Sequence, residues 1–138
     1  MGCDIHMFVE YKKDSKWEEV EHYIEIGNDK IKIPLYDCRN YELFGILAGV
    51  RSDVAPIDSP RGLPSDISDS VRIEYDKYYG DAHTPHYYTL RELVDCKYKM
   101  LGEMNQSLQN ILDDLLMLAD KIYDDNFDNI RIVFWFDN

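Results

Sequence analysis

The stretch CDIHMFVEY alternates apolar and polar residues. This puts Cys3, Ile5, Met7, Val9 and Tyr11 on one face of a predicted β-strand and Asp4, His6, Phe8 and Glu10 on the other. After the turn-like KKDSK, the segment WEEVEHYIEIGNDKIKIPLY reads as extended structure broken at GND, where Gly27 and Asn28 suit a hairpin, so a β-meander is expected. RNYELFGILAGVR switches to helical spacing, with Tyr41, Phe44, Leu47 and Ala48 on one side, Asn40 as N-cap and Gly49 as stop. SDVAPIDSPRGLPSD then concentrates proline and glycine and reads as the longest loop, a kind of segment that often carries function.

A second helix is expected from Ser65 to about Tyr78, starting at Ser65 or Asp66 with Ile67, Val71 and Tyr75 inward. A capping box in TLRE, Thr89 with Glu92, starts a third helix running to about Lys99, which leaves DAHTPH as a loop before a helix N-terminus. In SLQNILDDLLMLADKIYDD the residues Leu108, Ile111, Leu112, Leu115, Leu118, Ala119 and Ile122 recur at three- and four-residue steps, the pattern of the longest helix. IRIVFWF is too apolar for an exposed edge and reads as a buried closing strand that neighbours the first. The sum is an α+β fold: an antiparallel sheet with N- and C-terminal strands and three to four helices packed mainly on one face. At 138 residues the chain is expected to be a single domain, 1–138.

Charge narrows the partners. The formal net charge of -12, from 27 acidic and 15 basic residues, opposes nonspecific attraction to nucleic acid or anionic membrane. No apolar run has the length of a membrane span. Cys3, Cys38 and Cys96 are odd in number and lack CxxC spacing, and no signal peptide precedes the first strand, which fits a reducing cytoplasm. GxSxG, P-loop, GxGxxG and HExxH motifs are missing from the chain.

Chemistry concentrates in two DxH pairs. Asp4 and His6 leave one strand face with α-carbons about 6.5 Å apart, close enough to serve one ligand. Asp81 and His83, with His86 beyond them, repeat the pattern in GDAHTPH. Should the two pairs meet, Asp4, His6, Asp81 and His83 could hold a divalent metal, or His6 and His83 could act as acid and base oriented by the aspartates. Arg39, Arg51 and Arg61 are candidate phosphate clamps, and Tyr41, Tyr78, Tyr79, Tyr87 and Tyr88 are candidate base-stacking groups. Each has an ordinary alternative: a solvated strand face for the DxH pairs, ion pairing for the arginines, core packing for the tyrosines.

The blocks MGCDIH, RNYELFGILAGVR, RGLPSDIS and GDAHTPHYYTLREL resemble a family of small, largely uncharacterised bacteriophage and prophage proteins, over most of the chain up to about Leu93. The resemblance points to Asp4, His6, Arg39, Asn40, Tyr41, Arg51, Arg61, Asp66, Asp81 and His83. It implies a counter-defence accessory protein, cytoplasmic in the bacterial host, that binds a nucleotide-derived signal such as a cyclic dinucleotide or an ADP-ribose derivative. Arg39, Asn40, Tyr41, Arg51, Arg61, Asp66 and His86 would bind that ligand, and the protein is expected to be a homo-oligomer. Sequestration and cleavage both fit. Two alternatives stand beside it: a metal-assisted or His-dependent phosphodiesterase, and an acidic inhibitor that binds a host enzyme and whose DxH pairs are structural.

Overall fold

The alternation in CDIHMFVEY is realised as strand β1 (Asp4–Lys13), in a computed structural model that describes residues 2–99 and 104–138. Asp14 and Ser15, both at positive φ, turn the chain tightly into β2 (Lys16–Val20). Then come β3 (His22–Ile26), β4 (Asp29–Ile33), α1 (Tyr41–Ala48), α2 (Asp69–Asp76), β5 (His83–Thr89), α3 (Leu90–Lys99), α4 (Gln106–Lys121) and β6 (Ile130–Asp137). The main sheet is antiparallel with order β2-β1-β6-β5, so the strands nearest the two ends of the chain form its centre. No helix among the described residues is long and apolar enough to cross a membrane.

Because β6 is central, both its faces are buried. Ile130, Ile132, Phe134 and Phe136 join Ile5, Met7 and Val9 in a large core against α1, α3 and α4. Val133 and Trp135 join Val71 of α2 in a smaller core on the opposite face, with Phe8, Tyr75 and Tyr78 packed around it. Three helices therefore share one face, and α2 takes the other.

Helix boundaries follow capping chemistry. The Asn40 side chain accepts from the Leu43 N–H at 3.0 Å, and Gly49 ends α1 at φ 70 with its N–H on the Gly45 carbonyl. The Thr89–Glu92 box is complete: Glu92 Oε1 accepts from the Thr89 N–H at 3.0 Å and Thr89 Oγ1 from the Glu92 N–H at 3.2 Å. Helix α2 starts later than its sequence implies, with Ser68 as N-cap in place of Ser65 or Asp66. The expected meander is two separate units, since among the described residues β3 and β4 pair only with each other.

DAHTPH is a strand where a loop is expected. His83–Thr89 forms the edge strand β5, and a register shift between His83 and His86, with Thr84 at φ 53, absorbs the irregularity around Pro85. The proline-rich segment lies along this edge and shields it. The Gly62 N–H donates to the Pro85 carbonyl at 3.0 Å, and the Asp58 N–H to the Tyr88 hydroxyl at 3.2 Å.

Two buried polar residues hold this wrapping in place. Glu10 and Arg131 face each other across β1 and β6, are 0% and 4% exposed, and approach to 2.6 Å. The other Glu10 oxygen accepts the Ser68 N–H at 2.7 Å, while Arg131 also reaches Asp66 at 2.9 Å and stacks 3.8 Å from the Trp17 ring centroid. His86, fully buried, accepts the Tyr87 and Arg61 N–H groups on Nδ1, at 2.9 and 3.3 Å, and donates from Nε2 to the Asp58 carbonyl. Its burial pushes the imidazole pKa below the ordinary 6.5.

Glu10→Gln leaves the buried Arg131 with only the exposed Asp66 carboxylate as counter-charge and is expected to cost toward the lower end of roughly 3–5 kcal/mol, read as a lower urea midpoint at unchanged slope. His86 gives a pH signature. The unfolded chain takes up its proton at a higher pH than the native one, so the stability from the neutral ring is complete above about pH 6.5 and is lost as pH falls below it. The melting temperature of the wild type should drop across that range, and the difference from His86→Gln, which does not titrate there, should show the window.

Candidate functional site

His6 leaves β1 on the α2 face, and its surroundings come from three elements. Register places it opposite Trp135, two residues before Asp137 on β6 and so on the same face. The turn that ends α2 brings Tyr78 over it, ring centroids 4.2 Å apart. Nε2 lies 2.8 Å from Asp137 Oδ2 and Nδ1 lies 3.2 Å from the Tyr78 hydroxyl. A carboxylate only accepts, so the proton sits on Nε2 and Tyr78 donates to Nδ1. Burial raises the Tyr78 pKa, reinforced by the negative charge of Asp137.

Asp4, the expected orienting partner of His6, pairs instead with Arg39 at 2.7 Å. That guanidinium holds the Asp4 carboxyl below its usual range. The residue that orients His6 is Asp137.

The two DxH pairs do not converge. His83 pairs in register with Phe136, which pairs with Ile5, so His83 belongs to the face of the large core and His6 to the face of α2. Strand spacing puts their backbones roughly 10 Å apart, with β6 between them. His83 bonds Thr84 Oγ1 at 2.9 Å and Asn138 Oδ1 at 3.1 Å. Asp81 is exposed in the turn before β5 and joins none of the His6 bonds. Among the described residues no group of three or more His, Cys, Asp or Glu side chains is arranged to hold a metal ion. His6, His83 and His86 each have both ring nitrogens in hydrogen bonds within the fold.

The other candidates are largely occupied within the fold. Arg61 forms a fork on Glu92, at 3.0 and 3.1 Å, donates to the Tyr87 carbonyl and lies over the Tyr87 ring. Asn40 caps α1 and donates to Ser107, the Tyr41 hydroxyl accepts the Cys3 N–H, and Asp66 binds Arg131 and Trp17. Arg51 differs: among the described residues it alone of the arginines makes no ion pair with a carboxylate, and its field, like that of Arg39, reaches buried Cys3.

His6 opens onto a pocket of about 370 Å³. The pocket exists because β2 pairs only from Val20 opposite Val9 onward, which leaves Asp4–Met7 of β1 with β6 on one side and no strand on the other among the described residues. One wall is apolar, with Ile5, Met7, Val20 and Leu35; the other carries His6 and Tyr78, with Asp4, Glu19, Asp37 and Glu74 supplying carboxylates. Among the described residues no arginine or lysine lines it. Sequence reasoning found Asp4 and His6 and missed Tyr78 and Asp137 as their neighbours. The available signal was the pairing of the outermost strands, which sets Asp137 opposite Asp4.

The chain matches no protein-family model, no curated protein and no solved structure.

Proposed function

We propose that the protein is a binding module that accepts an extended, basic segment of a partner protein as an added strand on the open edge of β1. The observation that carries this reading is the pocket beside Asp4–Met7, which occupies the position of a missing neighbouring strand. Backbone N–H and C=O groups on such an edge bind any extended peptide, and the flanking walls choose its side chains. Here the walls ask for alternation: apolar residues on the side of Ile5 and Met7, basic residues on the acidic side, where they would share Asp4 and Glu74 with Arg39 and Lys77. The carboxylate lining and the net charge of -12 favour a basic partner and oppose a phosphate in the pocket. In the phage setting that the resemblance implies, this is the host-protein inhibitor among the three expectations.

A nucleotide-derived signal is the second reading, and Arg51 is the observation in its favour. A guanidinium with no carboxylate partner, near Arg39 at the same end of the sheet, is available for a phosphate.

The test is a titration with an end-capped Val-Lys-Val-Arg-Val-Lys peptide followed by calorimetry. Binding in roughly the micromolar range is expected, weakening with salt. It should be lost when alternate peptide nitrogens are methylated and weakened about tenfold by Glu74→Lys. Equal affinity for a peptide with glutamate in place of the basic residues, or no binding, contradicts the strand-addition reading. In a parallel incubation with cyclic dinucleotides and ADP-ribose, depletion that Arg51→Glu abolishes supports the second reading instead.

A further inference from the structure

The hairpin formed by β3 and β4 is flanked by Val20, the last residue of β2, and by Pro34, and both line the pocket beside β1. It pairs with nothing but itself, and Tyr23 and Ile26 are 48% and 57% exposed. An isolated two-stranded hairpin is marginal in water. An edge such as that of β1 is equally uncomfortable uncovered.

The two features fit each other by register. β2 and β3 are separated only by Glu21. The β1–β2 pairing sets Val9 opposite Val20, Tyr11 opposite Glu18 and Lys13 opposite Lys16. Continued through Glu21 without a bend, the same register sets Met7 opposite His22, His6 opposite Tyr23, Ile5 opposite Ile24 and Asp4 opposite Glu25. The alternation agrees: Tyr23 falls on the face of His6 and Tyr78. β4 would follow as the outer strand. Its pairing sets Lys30 opposite Glu25, so Lys30 falls on the face that carries the pocket carboxylates.

We infer that β3–β4 is an intramolecular strap that straightens at Glu21 and closes the open edge of β1, competing with the partner segment for the same strand position. The inference rests on the proposed reading of that edge as strand-accepting, and it requires no partner to be present.

A disulfide-trapping experiment tests it. On a Cys38→Ser, Cys96→Ser background, His6→Cys with Tyr23→Cys places thiols on directly opposed positions of the closed state; His6→Cys with Glu25→Cys places them on the diagonal. Under mild oxidation the first pair should form an intramolecular bond about tenfold faster than the second, as effective concentration in a fixed register requires. Equal rates, or a bond that joins two chains, overturn the strap. Because replacing His6 removes its bonds to Asp137 and Tyr78, a second measurement leaves His6 in place. Tyr23→Pro, which blocks strand addition, should speed hydrogen exchange of the β1 amides between Asp4 and Met7 relative to the wild type; unchanged exchange overturns the strap. Trapping in register without any binding of the basic peptide leaves the strap standing and removes the proposed partner. Peptide binding without trapping does the reverse.

Discussion

The contact between Glu10 and Arg131 fixes more of this fold than any other polar interaction. The two residues are direct neighbours on the two central strands, so their pairing specifies one register of β1 on β6. A slip by one position would take His6 off the face it shares with Trp135 and set a buried carboxylate against an apolar residue. The same two side chains reach the Ser68 N–H at the start of α2 and the Asp66 carboxylate that precedes it. Orientation of α2 then carries Tyr78 to His6 near the far end of β1. A network at one end of the sheet thus determines which residues meet at the other.

That dependence explains the mixed chemistry around His6. Strand pairing delivers Asp137 to one nitrogen and helix packing delivers Tyr78 to the other, which leaves an imidazole held in one tautomer and one orientation. Such a ring presents a fixed surface to the pocket. Beside it, β2 leaves β1 after Val20, and a groove with an apolar wall and an acidic wall takes the place of the next strand. Its shape and charge come from the strand alternation that builds the core: Ile5 and Met7 supply one wall from the core face, Asp4 and His6 the other from the opposite face.

Elements driven by local periodicity were legible in the sequence. The alternation of β1, the apolar run of β6, the Asn40 cap, the Thr89–Glu92 box and the spacing of α4 each state a local preference that tertiary packing agrees with. β5 was hidden because Pro85 and a positive-φ Thr84 both argue against a strand, and both are tolerated only because β5 is an edge with a bulge. The face of Asp4 and His6 was legible; their partners were not. Asp137 lies 131 positions from His6, and its arrival depends on strand order, which no local pattern encodes. The likeness of the two DxH pairs in sequence conceals that strand parity sends His6 and His83 to opposite faces.

We propose that the open edge of β1, and no cluster of the two DxH pairs, is the binding surface of this protein. Backbone amide shifts followed by nuclear magnetic resonance during titration with the basic Val-Lys peptide address it directly. Perturbations centred on Asp4–Met7, with the His6 ring moving and the His83 ring still, are the predicted result. Perturbations shared by His6 and His83, or confined to the α4 side of the sheet, would contradict it.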